Sequence, residues 1–229
     1  MSTTLISKTR TNAIARSAVL TILLGAISGC TYSGGKLLYM LGLGEARTVP
    51  AEFTLTEEPV LIFIDDFRER LTYPLAARQL FDELSQELLQ NEAATKLIPL
   101  STVDGLRQSH PDFSKLSARE IGELVGAEQV LWIEVQDFLA SDEVTNVADA
   151  GYIHVSLKVL DPHETKRRSR IRLWPVSPTG FPISVGISGA RVSELGSAAR
   201  VSKELTKMVS VEIAKRFYDC QLGDFEKDR

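Results

Sequence analysis

Cysteine is almost absent: the 229 residues hold only Cys30 and Cys220. Two cysteines build neither a disulfide framework nor a Cys-rich zinc site. With Cys30 modified, Cys220 has no internal partner, and its place after an apolar helical pattern fits a small buried residue. Histidine is equally scarce. His110, His154 and His163 lie in three separate segments, so no His cluster has metal-ligand spacing. No Gly-x-Ser-x-Gly elbow occurs, and Gly180, Gly186 and Gly189 lack the spacing of a phosphate-binding loop. The residues therefore point to no enzyme and no cofactor. Internal repeats and low-complexity tracts are missing too. The most apolar early run, Ala18 to Ile27, is too short to span a bilayer.

That run reads instead as an address. Lys8, Arg10 and Arg16 precede it, and Ser28, Gly29 and Cys30 follow it. A charged segment, a short apolar segment and a small-residue cleavage site make a secretory signal. Ile27-Ser28-Gly29-Cys30 resembles the bacterial lipobox, in which the cysteine is freed by cleavage and lipidated. The alternatives are an ordinary cleaved signal with an incidental cysteine, or a buried core helix. Thr31, a non-Asp residue after the cysteine, resembles the enterobacterial signal for the outer membrane. The expected location is the cell envelope, lipid-anchored at the outer membrane and facing the periplasm.

Cleavage before Cys30 leaves 200 residues and removes three cations and no acid, so the formal charge goes from −4 to −7. An acidic chain argues against nucleic acid as partner. A composition of 44% hydrophobic and 24% charged residues supports a packed core. The expected division is a signal peptide over 1–29, a lipidated anchor and linker over 30–58, one α/β domain over 59–220 and a charged tail over 221–229. Leu37, Leu38, Tyr39, Met40 and Leu41 are too apolar for a fully solvated linker, which favours packing of that segment.

Within the domain, Val60 to Ile64 is a continuous apolar run that predicts a strand buried on both faces. Thr72 and Pro74 predict the start of a helix. Ala77, Leu80, Phe81, Leu84 and Leu88 recur on one face of it to about Asn91. Lys96 to Leu100 predicts a short strand and Val103 to Gln108 a short helix. Ser117 with Glu120 fits a capping box, and Gly126 a helix stop. Gln129 to Leu139 and Tyr152 to Leu160 alternate as strands. A polar connection, 140–150, lies between them. Lys166 to Val176 is expected to return as the hairpin partner of the second, with a further short strand at Ile183 to Val185. Val201, Leu205, Val209, Ile213 and Phe217 predict a final helix of roughly 27 residues, about 40 Å long. The expected fold is one α/β domain: a mixed sheet of about five strands, flanking helices and a long C-terminal helix.

This order, with three phrases in it, resembles an envelope superfamily. The phrases are the opening strand Val60 to Asp66, the stretch Leu124 to Val135, and the Asp161-Pro162-His163-Glu164 turn before a segment ending at Trp174. The superfamily includes the CsgG-like curli-secretion lipoproteins, the LpoB-like activators of penicillin-binding proteins and the TolB N-terminal domain. The resemblance covers about Val60 to Phe217. It implies a binding fold, not catalytic residues, and a possible homo-oligomer. The chain departs from the curli channels because its hairpin candidate carries Lys166, Arg167, Arg168, Arg170 and Arg172, which opposes lipid exposure. It departs from the activators because Thr31 to Glu58 is a short tether. No functional residue of the family maps onto it.

Two constellations remain. Asp65 and Asp66 end the first strand and Asp137 sits near the end of the third, where acids could hold a divalent cation or simply cap loops. Strand alternation would put Arg168, Arg170 and Arg172 on one side, either as an anion site or as charges that block edge pairing. The expected function is a lipid-anchored envelope binding or scaffold protein, an accessory subunit of a secretion, transport or cell-wall complex. Its partners would be the membrane, through the lipid, and an envelope protein complex or cell-wall component. The alternative is a metal-dependent hydrolase or phosphotransfer-type domain using the strand-end acids.

Overall fold

A strand that is apolar on both of its alternating side-chain sets needs cover on both faces, and Val60 to Ile64 has it. The computed structural model describes residues 48–141, 151–165 and 168–221, without the side chains of Arg168 and Ser169. The signal peptide, Cys30, the 36–41 patch, most of the 140–150 connection, Lys166, Arg167 and the tail from 222 lie outside the described residues. From Thr48 onward the chain is one unit. In order it holds β1 (Thr48–Val49), β2 (Val60–Asp65), α1 (Ala76–Gln90), α2 (Leu100–Ser109), a 3-10 turn (Phe113–Lys115), α3 (Ala118–Val125), β3 (Gln129–Ala140) and β4 (Gly151–Leu160). There follow α4 (Arg168–Ile171), β5 (Arg172–Trp174), β6 (Phe181–Ile187), α5 (Gly189–Leu195), α6 (Ala198–Ala214) and β7 (Cys220–Gln221). The class is mixed α/β, as expected.

β2, β3, β4, β5 and β6 form one mixed sheet. β2 runs parallel to β3, with Val60 opposite Gln129 and Asp65 opposite Glu134. β3 and β4 are antiparallel, and a bulge shifts their register between Val135 and Asp137. The other edge of β4 is shared. β6 takes Gly151 to Leu157, and β5 takes Val159 and Leu160. On one face Val60, Ile62, Ile133, Ile153, Val155 and Leu157 join α1 and α6 in the main core. On the other, Leu61, Phe63, Val130 and Leu160 meet Val103, Ala118 and Ile121 from α2 and α3. The bulge keeps Phe138 on the same face as Val135, although strict alternation would turn it away.

α6 buries two stripes. Val201, Leu205, Val209 and Ile213 belong to the main core. Ser202, Thr206 and Ser210 are fully buried as well, and two of them reach α1. Ser202 Oγ donates to Gln79 Oε1 at 3.4 Å, and Ser210 Oγ donates to Thr206 O at 2.7 Å and reaches Leu80 O at 3.4 Å. Small side chains allow the two helices to approach, and bonded hydroxyls avoid the cost of a buried orphan.

Local signals hold where they are chemical. Ser117 and Glu120 form the capping box, and Gly126 ends α3 in the left-handed region at φ 73°. Four expectations change. The return expected over Lys166 to Val176 is made only in part: its described residues hold α4 and then the three-residue β5, which pairs with β4 at Val159 and Leu160. Ile171 is the only apolar residue from Lys166 to Arg172, so a strand there would bury almost nothing. Phe181, Ile183, Val185 and Ile187 alternate cleanly, and β6 takes the longer part of that edge of β4. The final helix is 17 residues, because Gly196 at φ 66° ends α5 and Ser197 caps α6 anew. Lys96 to Leu100 makes only a bridge from Leu97 to Val60, since Leu100 already opens α2 behind Pro99. α1 starts at Ala76 behind Leu75, without a side-chain cap from Thr72.

The N-terminal end of the unit is tied down at one corner. β1 pairs antiparallel with β7, setting Val49 against the buried Cys220. Arg216 O accepts from the backbone of Glu52 at 2.9 Å and of Phe53 at 3.2 Å. Phe53 then faces Trp174, which stacks on Phe181 and meets Phe217 edge-on.

Packing on the α3 side gives a paired test. A Cβ at Gly122 would collide with the Val130 side chain, whereas one at Gly105 in α2 would meet nothing within 4 Å. Gly122→Ala is expected to cost about 1–3 kcal/mol by overpacking. Gly105→Ala is expected to stabilise by roughly 0.5–1 kcal/mol through the unfolded chain. Urea unfolding midpoints measure both.

Candidate functional site

Parallel strands end together, and the carboxyl end of β2 opens into a cleft of about 1170 Å³. Phe63, Ile121, Trp132 and Leu160 are among its apolar lining. One wall is the turn after β2, from Asp65 to Phe67, and another runs from Phe113 through the start of α3. Arg172 and Pro178 close the side toward β5.

A charged ladder crosses three strands here. Trp132 and Glu134 project from one face of β3, and Lys158 of β4 stands opposite Trp132 in register. The Trp132 indole N–H donates to Asp65 Oδ2 at 3.1 Å. Lys158 Nζ lies 4.2 Å from the Trp132 ring centroid and 3.2 Å from Glu134 Oε2. The Lys158 side chain is only 12% exposed. A cation so far out of water needs both its carboxylate and its aromatic face, and losing Glu134 would leave it uncompensated.

Three of the four oxygens of the two strand-end aspartates are spent on the turn. Asp65 Oδ1 accepts from Phe67 N–H at 3.1 Å. Asp66 accepts from Arg70 N–H at 2.6 Å and from Leu71 N–H at 2.9 Å, one bond to each oxygen. The turn so stapled carries Glu69 at φ 52°. Asp137 lies beyond the β3 bulge, where it accepts from Phe138 N–H at 3.0 Å and Tyr152 Oη–H at 3.4 Å. The structure thus does not bring the three acids together. Among the described residues, no three His, Cys, Asp or Glu are placed to hold a metal ion.

Of the expected row of arginines, Arg170 lies on α4 and Arg172 in β5, so these two do not alternate along one strand. Arg170 is exposed on α4. Arg172 donates from Nε to Pro175 O at 2.9 Å and from Nη2 to Val176 O at 3.1 Å, so it holds the turn after β5. The side chain of Arg168 lies outside the described residues.

α3 contributes Arg119 and Glu120. Arg119 Nη1 donates to Glu123 Oε2 and to Pro162 O, both at 2.9 Å, and links α3 to the turn after β4. The Ser117 backbone N–H and hydroxyl hold the Glu120 carboxyl below its usual pKa, with Arg119 adding to the effect. Its contribution to stability is therefore present above the unfolded carboxyl pKa and lost as pH falls through the lowered value. On the open half of the same sheet face, His154 Nδ1 and Ser184 Oγ are 2.7 Å apart across β4 and β6. Asp137 bonds elsewhere, so the pair is not continued into a relay with that acid.

Trp132, Glu134 and Lys158 are not singled out by sequence. Each reads as the polar face of an alternating strand, and only register brings them together. The cleft wall offers a direct test. Asp66→Ala removes both staples of the 66–71 turn. Amide exchange at Arg70 and Leu71 should quicken by about tenfold or more, given roughly 1.5–3 kcal/mol for a bond to a charged acceptor, while amides of β3 stay protected. Exchange followed by NMR measures it.

Neither a family model nor a curated protein matches the chain. Solved structures with a likeness include lipoprotein GNA1162 from Neisseria meningitidis, at 13% identity and a TM-score of 0.37 over 57% of this chain and 81% of that one. Hypothetical protein CT253 from Chlamydia trachomatis shares 15% identity at a TM-score of 0.37, over 71% of this chain and 98% of that one. A PelC dodecamer from Paraburkholderia phytofirmans shares 11% identity at a TM-score of 0.33, over 73% of this chain and 95% of that one. Likenesses at this level carry neither activity nor role across to this chain.

Proposed function

We propose that this is a lipid-anchored protein of the bacterial envelope that works by binding. It would serve as a scaffold or accessory subunit of a secretion, transport or cell-wall complex, at the outer membrane and facing the periplasm. The observation that carries this reading is Ile27-Ser28-Gly29-Cys30 directly behind a charged and then an apolar segment. The chemistry of the domain supports a binding role. In its main cleft Asp65, Asp66 and Glu120 are bonded to neighbouring backbone or side-chain donors, and Lys158 to Glu134. A general acid or base needs a group in reach of a substrate proton, and these groups are turned toward the protein itself. No helix among the described residues is long and apolar enough to cross a membrane.

Three experiments test the reading. Fractionation of cells should place the parent chain in the membrane pellet and Cys30→Ser in the soluble or unprocessed fraction; a variant that pellets and is processed like the parent would overturn the anchor. Crosslinking in intact cells should then join the parent chain to another envelope component. Titration with Mg²⁺ or Mn²⁺ is expected to give no binding heat; a saturable heat lost in Asp65→Asn/Asp66→Asn would favour the metal-dependent alternative.

A further inference from the structure

β6 is an edge strand. It pairs with β4 from Phe181 to Ile187, and among the described residues no strand lies along its other side. Backbone groups of a strand point to its two sides in alternation. The ladder to β4 keeps its donors when Pro182 turns its nitrogen away from β4, so Ser184 and Gly186 turn their N–H and C=O groups to the open side as well. Natural edges are commonly blunted by charge. This one carries no charged residue in seven, and its exposed residues, Pro182, Ser184 and Gly186, are too small to cover it.

A groove of about 560 Å³ runs between β6 and α6, with Ser184 to Ser188 on one side. The other side is a stripe at four-residue steps on α6, Glu204, Met208 and Glu212, continued by Arg216 and joined by Arg191. Half-buried Met208 stands at its middle. Toward Ile187, Arg191 meets Glu204 at 2.9 Å. Toward Phe181, Arg216 lies 5.1 Å over the Phe181 ring and meets Glu212 at 3.4 Å. Glu194 and Glu52, outside the lining, bond to the same two arginines. The layout is complementary to itself. A twofold axis through the middle of β6 lays the strand antiparallel against its copy and keeps both α6 helices on one face of a continuous sheet. Met208 then faces the Met208 of the copy. The end with Arg191 and Glu204 meets the copy's end with Glu212 and Arg216, so each arginine finds an acid across the axis. The two arginines and two glutamates of the lining sum to zero, and like copies do not repel through it. Another protein would have to match this order of charges; a second copy matches it by symmetry.

We infer that the outer edge of β6 is the seam of a homodimer: two copies pair β6 with β6, antiparallel about a twofold axis, with Met208 at the centre and the ion pairs of Arg191 and Arg216 at the two ends. The inference goes beyond the anchored binding protein proposed above and does not rest on it.

The test uses the full chain purified from cells in excess detergent micelles, with sedimentation and amide exchange read over a dilution series. The parent should be a dimer when concentrated and a monomer when diluted. In the dimer the amides of Ser184 and Gly186 should exchange about tenfold more slowly, as for one added backbone bond each. Ser184→Lys and Ser184→Asp each set like charges near one another across the axis and should be monomers. Their equimolar mixture should recover the dimer, which also shows that both fold. Met208→Lys and Met208→Glu should repeat the pattern from α6. A parent that stays monomeric at every concentration overturns the inference, and this outcome needs no variant. So does a dimer that neither pair of substitutions weakens, or a mixture that fails to associate while both variants melt like the parent. Slow exchange of Ser184 and Gly186 already in the monomer overturns it in favour of cover from the same chain. Protection that appears only with added envelope extract overturns it in favour of another protein. An assembly larger than a dimer overturns the twofold axis, since an isologous contact closes on itself.

Discussion

β4 is paired along both edges, with β3 on one side and β6 then β5 on the other. Its inward residues Ile153, Val155, Leu157 and Val159 are essentially inaccessible to water. Each such side chain contributes roughly 1.5–3 kcal/mol of burial. The alternation that buries this set turns His154, Ser156 and Lys158 to the opposite face. Packing of α6 and placement of the charged ladder are therefore two results of one strand pattern. A shift of one residue in register would expose the first set and bury Lys158 without Glu134.

The ladder depends on that register in turn. Lys158 sits against Trp132 and Glu134 only because β3 and β4 are locked opposite one another, and Asp65 meets Trp132 only because β2 runs parallel beside β3. Three strands far apart in sequence so build a single charged row. Its members compensate one another, which makes it a rigid floor. Asp66 holds the turn after β2 that forms one wall of the cleft, and Arg172 holds the turn after β5.

How much of this is legible in the sequence follows from the range of each signal. The capping box of Ser117 and Glu120 spans three residues, and its geometry is written in the residue types. The buried β2 and the alternating β4 are equally plain, because periodicity is local. The strand pairing is not. Lys166 to Trp174 lies directly after a turn and reads as the partner of β4, yet only Arg172 to Trp174 pairs with it, and the apolar alternation of Phe181 to Ile187 takes the longer part of the edge. The break between α5 and α6 is hidden by the continuous stripe on both sides of Gly196. The buried hydroxyls of Ser202, Thr206 and Ser210 are invisible for another reason. A small polar residue on a helix reads as solvated until a second helix is known to lie on it. Of the candidate site, Asp65 is placed at the end of its strand by sequence, whereas Trp132, Glu134 and Lys158 need the register.

In the proposed function, a short N-terminal address precedes a domain whose Asp65, Asp66 and Lys158 are bonded within the protein. Where the described residues begin, β1 pairs with β7 and Phe53 meets Trp174. The mass of the N-terminal peptide of the protein isolated from cells tests the proposed lipid anchor most directly. The expected peptide begins at Cys30 and carries a lipid on its sulfur. A peptide that reads through Ile27 to Ser33 with an unmodified thiol would contradict it.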